Sequence, residues 1–494
     1  MKKSEIEEST IIWRGVGLVV VVAQAIISFM LVISMINTGI VASWITILVA
    51  IVLAALLIFN IVKLLAQNKT STATRIVCMV LGIICIIGGV FAMRYTGAFN
   101  EFLNRVTEQK AEVKEYSVIV MNDSGIKDLS GLAGKSVGLL ETDKEAKKAG
   151  QHLQGLVKVD TGFYDSMDTL ISMLEGKLID AMTIESDRME IAKEEMDGGL
   201  ESMRVIYTFE IELDGKETQA SNKKVTIEPF IVYISGSDSR TGIKTTARSD
   251  VNIVAVVDPA KGKMLLVSIP RDTYVQLHDT TGIKDKLTHA GVYGIEMSKA
   301  TIEDFLGIKI DHTIKVSFDT VVKVVDQLDG IEINSDQALQ LKTNGKVCNY
   351  VVGKQVVDGD CALRFARERK SYETGDRHRG ENQQEVITGI VKKLSGSKDY
   401  LLKVPEILEI AADSFETTFQ RDDIVGFIRM QLENPKNWQV ESIAVNGTGT
   451  MLPTYSMGAN LPLYVMIPDE NTVANARTKI NQYLNVSTVD DAEE

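Results

Sequence analysis

Long apolar runs separated by short polar turns occupy the first hundred residues of the chain. They extend approximately over residues 16–36, 40–65 and 76–93, and each is close to the ~20 residues that cross a bilayer as a helix. Beyond residue 93, charged and apolar positions are mixed. The pattern predicts three transmembrane helices, a membrane anchor over residues 1–95, and then a water-soluble region.

The distribution of basic residues predicts how this anchor is oriented. Basic residues precede the first run and flank the turn between the second and third runs, at Lys2, Lys3, Arg14, Lys63, Lys69 and Arg75. The positive-inside rule then predicts a cytoplasmic N-terminus, and an odd number of crossings makes the residues after about 95 extracytoplasmic. A cleaved signal peptide is a weaker alternative for the first run, because Glu5, Glu7 and Glu8 spoil its positive n-region.

The outer region has the alternating strand and helix pattern of α/β domains. We expect an accessory α/β module with a linker over residues 96–225, a main domain over 226–395, and its helical and strand completion with a polar tail over 396–494. In the main domain, residues 230–235, 251–257 and 264–269 fit strands, and residues 298–306, 319–328, 382–394 and 400–415 fit helices. A sheet flanked by helices is the expected fold class.

The accessory module has one local resemblance. Residues 129–138, followed by 170–181, resemble part of a periplasmic solute-binding domain, in which such segments form strand–helix units. A small-ligand module, a protein-docking module and a simple spacer remain alternatives, and the pattern singles out no site residue there.

Charge and cysteine content limit the classes of function. The formal net charge of −13 argues against a nucleic-acid partner, because such proteins normally carry a basic footprint. Cys78 and Cys85 lie in the third apolar run, where they are expected to pack as small apolar residues. Cys348 and Cys361 lie in the extracytoplasmic region, and a disulfide between them is possible.

Arginines cluster beside predicted strands although the chain is acidic overall. The clusters are GSDSR at 236–240, ARSD at 247–250, VSIPRDTYV at 267–275, and RFARER at 364–369 followed by DRHRGENQ at 376–383. Guanidinium groups bind phosphate oxygens through paired hydrogen bonds, so the clusters indicate a polyanion such as a pyrophosphate. Carboxylates among them suit a bridging Mg²⁺. Ordinary local salt bridges are the alternative reading of the charge pattern.

The order and the amino-acid sequences of these motifs, together with LGIKIDH at 306–312, resemble the LytR-CpsA-Psr family over roughly residues 230–393. The three-span anchor with an intervening module resembles the capsule-associated branch. The resemblance implies an αβα domain with a central mixed sheet. It also implies binding of a polyprenyl (undecaprenyl) pyrophosphate with its lipid tail in an apolar tunnel, and transfer of the attached glycopolymer to peptidoglycan.

Roles follow from the resemblance at matching positions. Asp238 and Asp250 are implied to bind Mg²⁺ or another divalent cation, and Asp250, Arg271 and Arg248 to act in catalysis. The pyrophosphate is implied to lie among Arg240, Arg248, Arg271, Arg367, Arg369, Arg379 and Gln383. No residue stands out as general base, since Asp250 and Asp376 are both candidates and Asp272 fits a structural role better.

Other functions remain open on the sequence. A polyprenyl-pyrophosphate hydrolase would use the same site with water as the acceptor. A non-catalytic regulator or scaffold of capsule assembly, with capsule-assembly proteins as partners, is a binding-class alternative. The expected partners are otherwise the lipid-linked glycopolymer, peptidoglycan and the lipid bilayer.

Overall fold

The computed structural model describes residues 2–39, 41–65, 71–107, 111–195, 200–213, 221, 223–237 and 242–485. The chain divides into two compact units. The first comprises Met1–Arg105, Lys398–Glu409 and Gln420–Pro435, and the second comprises Val106–Ser397, Ile410–Phe419 and Lys436–Glu494.

The helices in the described residues are α1 (Lys2–Thr38), α2 (Ser43–Leu65), α3 (Thr72–Thr107), α4 (Ala146–Leu156), α5 (Met167–Glu175), α6 (Ser186–Glu195), α7 (Ile295–Leu306), α8 (Phe318–Gln327), α9 (Gly359–Ala366), α10 (Asp376–Gly396), α11 (Lys398–Leu402), α12 (Val404–Ala411), α13 (Arg421–Glu433) and α14 (Glu470–Leu484). Short 3₁₀ turns lie at Leu129–Leu132, Leu287–Tyr293 and Ala412–Ser414.

The strands are β1 (Val113–Met121), β2 (Ser136–Leu140), β3 (Asp160–Tyr164), β4 (Ala181–Glu185), β5 (Met203–Glu212), β6 (Phe230–Ser237), β7 (Val251–Asp258), β8 (Lys263–Ser268), β9 (Tyr274–Val275), β10 (Asp285–Lys286), β11 (His312–Ser317), β12 (Ile331–Ser335), β13 (Leu339–Thr343), β14 (Lys346–Tyr350), β15 (Gly353–Val357), β16 (Phe415–Thr417), β17 (Gln439–Ala444), β18 (Gly447–Thr454) and β19 (Gly458–Pro468).

Three helices in the first unit are long and apolar enough to cross a membrane. Their spans are Trp13–Thr38, Ser43–Leu65 and Thr72–Arg105, which confirms the prediction of three apolar N-terminal helices. Asn60 Nδ2 in α2 donates to Gln24 Oε1 in α1 at 2.7 Å, and both side chains are fully buried. Because unsatisfied polar groups are costly in an apolar environment, this amide pair holds α1 against α2.

The accessory module consists of β1 to β5 with α4, α5 and α6. Its five strands have the order β3-β2-β4-β1-β5, with β2 parallel to β3 and β4 and with β1 antiparallel to β4 and β5. Val118 and Val120 of β1 belong to the core cluster that contains α4, whereas Ile119 belongs to the cluster that contains α5 and α6. Successive side chains of a strand point to opposite faces, so this continuous apolar strand lies between two helical layers.

The C-terminal domain, meaning the part of the second unit from β6 onward, contains a mixed six-stranded sheet. The strand order is β16-β11-β6-β7-β8-β17, with parallel pairs β11–β6 and β8–β17 and the other pairs antiparallel. Leu265 and Val267 of β8 pack in one cluster with residues of α7 and α14. On the opposite face, Gln384 of α10 donates to the carbonyl oxygens of Leu266 and Ile443. The sheet therefore lies between two helical layers, which confirms the predicted α/β fold class and its αβα arrangement.

The predicted strands of the C-terminal domain correspond to β6, β7 and β8, and three of its predicted helices correspond to α7, α8 and α10. The continuous helix predicted over 400–415 is wrong. The chain instead forms α11, α12, a 3₁₀ turn and β16. Pro405 has no backbone N–H to continue the ladder of α11, and the backbone before a proline is disfavoured in the helical region.

A disulfide links the β13–β14 hairpin to α9. It joins Cys348 of β14 to Cys361 in the first turn of α9, with 5.5 Å between their Cα atoms. Cys78 and Cys85 are free thiols. The bridge fixes the start of a helix that carries arginines of the candidate site.

Candidate functional site

A cavity of about 800 Å³ lies between the accessory module and the C-terminal domain, within the second unit. The loop before β7, the loop after β8, α8, α9, the start of α10 and the start of α6 all contribute to its lining. One side, which we call the arginine wall, consists of Arg248, Arg271, Arg364, Arg367, Arg369 and Arg379. Asp250 and Gln383 line the same cavity.

The structure thus brings together most of the residues singled out in the sequence. Seven of them line one cavity although they are up to 135 positions apart in the chain, from 248 to 383. They are Arg248, Asp250, Arg271, Arg367, Arg369, Arg379 and Gln383. Asp238 and Arg240 lie outside the described residues. Arg364 also lines the cavity. It lies in the RFARER cluster at 364–369, but sequence analysis assigned it no role in binding or catalysis.

Arg271 and Asp250 form an ion pair where two antiparallel strands meet. Arg271 follows β8, Asp250 precedes β7, and Arg271 Nη1 lies 2.8 Å from Asp250 Oδ1. Burial acts to raise the pKa of Asp250, but Arg271, Arg379 and Arg248 outweigh it and lower that pKa below the usual range. Asp250 therefore remains an anion and Arg271 a cation.

Arg271 also keeps donor capacity for a ligand. Its Nε is buried, makes no hydrogen bond within the described part of the chain, and lies 3.8 Å from Asp272 Oδ2. A buried donor without a partner is costly. A phosphate oxygen in the cavity would provide an acceptor for such a group.

Helix α10 brings Arg379 and Gln383 to the cavity one turn apart. The helix starts after Gly375, whose φ of 52° lies in the left-handed region that favours glycine. Arg379 Nη2 lies 2.6 Å from Asp376 Oδ1. Burial raises the pKa of Asp376 and lowers that of Arg379. The positive end of the helix dipole adds to the attraction for an anion.

Helix α9 presents the remaining arginines. Asp358 caps its start by accepting from the backbone N–H of Cys361 at 3.1 Å, and Arg367 follows its last residue with its guanidinium 4.8 Å from the ring centroid of Phe318. Arg364 Nη2 lies 2.5 Å from Glu368 Oε2. Arg364 and Arg379 thus each form a local ion pair, yet both still line the cavity.

The accessory module contributes a group of acidic residues to the lining of the same cavity. This acidic wall consists of Glu115, Glu185, Asp187 and Glu190. No sequence pattern selects any of them, because they lie outside every recognised motif and reach the arginines only through tertiary packing. The one local hint is that Asp187 lies in the first turn of a helix that follows a buried strand.

Asp250 is a described carboxylate of the cavity lining that suits a divalent cation. Among the residues that the structure describes, no group of three or more His, Cys, Asp or Glu side chains is arranged to hold a metal ion. Asp250 is ionised, lines the cavity and is partly exposed. Mg²⁺ in phosphate sites typically uses one or two carboxylates together with substrate oxygens and water, so this donor fits that ion.

Comparison with known proteins decides the family. The model of the LytR_cpsA_psr family matches residues 205–478, which is more than half of the chain. The chain belongs to the LytR-CpsA-Psr family. The matched segment contains every described member of the arginine wall and the whole sheet of the C-terminal domain.

Individual relatives agree with this assignment. The chain is 30% identical over 262 residues to "Polyisoprenyl-teichoic acid--peptidoglycan teichoic acid transferase TagU" of Halalkalibacterium halodurans, covering 53% of this chain and 81% of the relative. It is 34% identical over 220 residues to the protein of the same name in Enterococcus faecalis, covering 44% and 70%. The crystal structure of B. subtilis TagV is 27% identical, with a TM-score of 0.45, and the match covers 54% of this chain and 100% of TagV.

Proposed function

We propose that this LytR-CpsA-Psr protein is a membrane-anchored phosphotransferase that moves a glycopolymer from a polyprenyl pyrophosphate carrier to peptidoglycan. The observation that carries the proposal is the arginine wall around the Arg271–Asp250 pair. Such a concentration of guanidinium groups suits a pyrophosphate. The names of the teichoic acid transferases in H. halodurans and E. faecalis support the same class of reaction.

In the proposed reaction, a sugar hydroxyl of peptidoglycan attacks the phosphorus nearest the glycan. The new oxygen–phosphorus bond forms as the bond from that phosphorus to the bridging oxygen breaks, and polyprenyl monophosphate leaves with the electron pair. Arg248, Arg271 and Arg379 hold the phosphate oxygens and stabilise the charge of the transferring group. Arg367, Arg369 and Gln383 complete the contacts, and Arg240 is a further proposed member.

We propose Asp250 and Asp238 as the protein ligands of Mg²⁺, which would neutralise part of the pyrophosphate charge when bound. The lipid tail would lie in an apolar tunnel near Phe318, which lines the cavity. We also propose that the N-terminus is cytoplasmic and the cavity extracytoplasmic, where peptidoglycan is available. The resemblance to the capsule-associated branch makes capsular polysaccharide the proposed glycopolymer.

The deciding experiment is a transfer assay with the full chain in detergent. The donor is a labelled short glycan on polyprenyl pyrophosphate, the acceptor is soluble peptidoglycan strands, and Mg²⁺ is present or removed with EDTA. We expect transfer by the wild type and a loss of at least about 100-fold in Asp250→Ala and Arg271→Ala, as for removal of charge-stabilising groups. Removal of Mg²⁺ should abolish transfer.

Arg379→Ala and Arg377→Ala form a matched pair for this assay. Both residues are in the first turns of α10, but Arg377 is exposed and does not line the cavity. Arg379→Ala should lose transfer, whereas Arg377→Ala should retain it. Equal transfer activity in the two variants would contradict the proposed role of the arginine wall in the reaction.

The same assay separates the competing functions. A hydrolase would release the labelled glycan phosphate at the same rate with and without peptidoglycan. A scaffold would bind the donor without turnover, and a folded Asp250→Ala variant would then behave like the wild type.

A further inference from the structure

Helix α6 places the side chain of Asp187 against the backbone of Arg248, one residue of the arginine wall. The backbone N–H of Arg248 donates to Asp187 Oδ2 at 3.1 Å, and Arg248 is two residues before Asp250. Both residues line the cavity. A carboxylate of the accessory module therefore lies next to the segment that carries two of the proposed catalytic residues.

The next residue, Arg188, fixes this position. Its side chain is 1% exposed. Its Nη1 donates to the carbonyl oxygen of Ser456 at 3.0 Å and its Nη2 to Tyr293 Oη at 2.9 Å, both in the C-terminal domain. Its Nε donates to Glu185 Oε2 at 2.6 Å within the accessory module. A buried arginine with three such bonds locks the start of α6 against the C-terminal domain.

The carboxylates around the cavity differ in how far they are neutralised. Glu185 is 3% exposed and is bound by both Lys114 and Arg188. Asp250 is bound by Arg271, and a carboxylate held in this way is a weak proton acceptor. Within the described residues, Asp187 accepts a hydrogen bond through Oδ2 from the backbone N–H of Arg248, and its other oxygen, Oδ1, is able to accept from a ligand.

The electrostatic surroundings of Asp187 suit proton transfer near neutral pH. Burial raises the pKa of Asp187 to about 7, with Glu190 and Glu185 acting in the same direction and Arg248 opposing them. A general base is most effective when its pKa is close to the working pH. The pKa of Asp376 is also raised by burial, but that residue is not part of the cavity lining.

A carboxylate on this wall suits the acceptor better than the donor. Glu190 and the ionised form of Asp187 repel a pyrophosphate, which the arginine wall attracts. A neutral sugar hydroxyl, by contrast, can donate a hydrogen bond to a carboxylate oxygen. The arginine wall therefore suits the phosphate groups of the donor, whereas Asp187 suits the acceptor hydroxyl.

We propose that Asp187 is the general base of the reaction, so that the accessory module completes the active site. This inference rests on the proposed phosphotransferase function. Asp187 takes the proton of the acceptor hydroxyl as its oxygen attacks phosphorus, the phosphorus–bridging oxygen bond breaks, and polyprenyl monophosphate carries away the electron pair. The proton then passes from Asp187 to water after the products leave.

The test compares Asp187→Asn with wild type in the full chain, using the labelled polyprenyl-pyrophosphate glycan and soluble peptidoglycan strands. Asparagine can still accept the Arg248 N–H through its side-chain oxygen, so the local structure is retained. We expect kcat to fall about 100-fold or more, with donor affinity changed less than about twofold, and the rise of the wild-type rate near pH 7 to disappear. Glu175→Gln, an exposed carboxylate of the same module outside the cavity, should retain wild-type kinetics.

Asp187→Glu provides the rescue variant, since it keeps the carboxylate and should recover part of kcat and the pH dependence. Wild-type kcat and pH profile in a folded Asp187→Asn would overturn the inference. Loss of donor affinity at unchanged kcat would also overturn it, because Asp187 would then only position Arg248. Failure of the wild type to transfer would instead overturn the proposed function, and the inference with it.

Discussion

Asp187 illustrates how a single ionisable side chain can be costly for folding and useful for chemistry. Its pKa of about 7 in the folded protein lies well above the ~3.9 of a free aspartate. The folded state therefore favours the protonated form. The contribution of this group to the free energy of unfolding is therefore fully present below pH ~4 and is lost as the pH rises through about 7.

This sign leads to a stability prediction for Asp187→Asn. Asparagine cannot ionise, so the variant avoids the loss of stability that the wild type undergoes between pH 5 and pH 8. The difference in melting temperature, variant minus wild type, should be several degrees more positive at pH 8 than at pH 5, measured by thermal unfolding in detergent. Glu175→Gln corrects for the general effect of removing one carboxylate. An equal difference at both pH values would show that Asp187 is not held in a charge-disfavouring site.

The arginines that the sequence identified lie in local motifs, whereas Asp187, which sequence analysis missed, does not. Arg248, Arg271 and Arg379 belong to contiguous motifs beside strands, so a single local stretch is enough to select each of them. Asp187 is 61 positions from Arg248 in the chain and belongs to no motif. Only the docking of α6 through Arg188 brings them together, and that docking has no local pattern.

Helix α10 is the element on which the geometry of the arginine wall depends most directly. It carries Arg379 and Gln383 at its start and packs along β12 further on. At Gly389, a Cβ atom would lie 2.5 Å from the carbonyl oxygen of Glu332 in β12, whereas at Gly396 nothing lies within 4 Å of it. Close packing therefore requires a glycine at position 389 but not at position 396.

Gly389→Ala should therefore shift α10 and weaken the site. We expect a loss of stability of about 1–3 kcal/mol, as for other overpacked positions, together with reduced transfer, because Arg379 and Gln383 move with the helix. Gly396→Ala adds the same methyl group to the last residue of the same helix and should not destabilise the protein. Chemical denaturation and the transfer assay check both effects, and equal behaviour of the two variants would contradict the packing argument.

At this scale the sequence predicted elements well where periodicity and stop signals agree. The strands β6 to β8 and the helices α7 and α8 followed from apolar patterns that end at Gly307 or near Gly330. The continuous helix predicted over 400–415 failed because its apolar spacing runs across Pro405. A proline cannot donate the N–H that would continue α11, whereas it is tolerated in the first turn of α12, where Pro405 lies.

At the scale of the whole molecule, the proposed function requires the cavity to lie on the side of the membrane where peptidoglycan is found. The proposed topology has all three of the helices suited to crossing a membrane span it, with a cytoplasmic N-terminus and the residues after about 95 outside. The disulfide Cys348–Cys361 agrees with an oxidising compartment for the second unit. Arg94 and Arg105 follow the third apolar run and weaken the charge asymmetry, but the basic residues that flank the earlier runs still favour a cytoplasmic N-terminus.

Protease accessibility in intact cells tests this topology. With a cleavable tag at each end of the full chain, external protease should remove the C-terminal tag and leave the N-terminal tag until the membrane is permeabilised. An impermeant thiol reagent should label Cys348 and Cys361 in intact cells only after reduction, because the disulfide protects both. If the two tags were accessible from the same side, one of the three helices would not cross the membrane. If both tags were protected from external protease, the cavity would face the cytoplasm, and peptidoglycan could not be the acceptor.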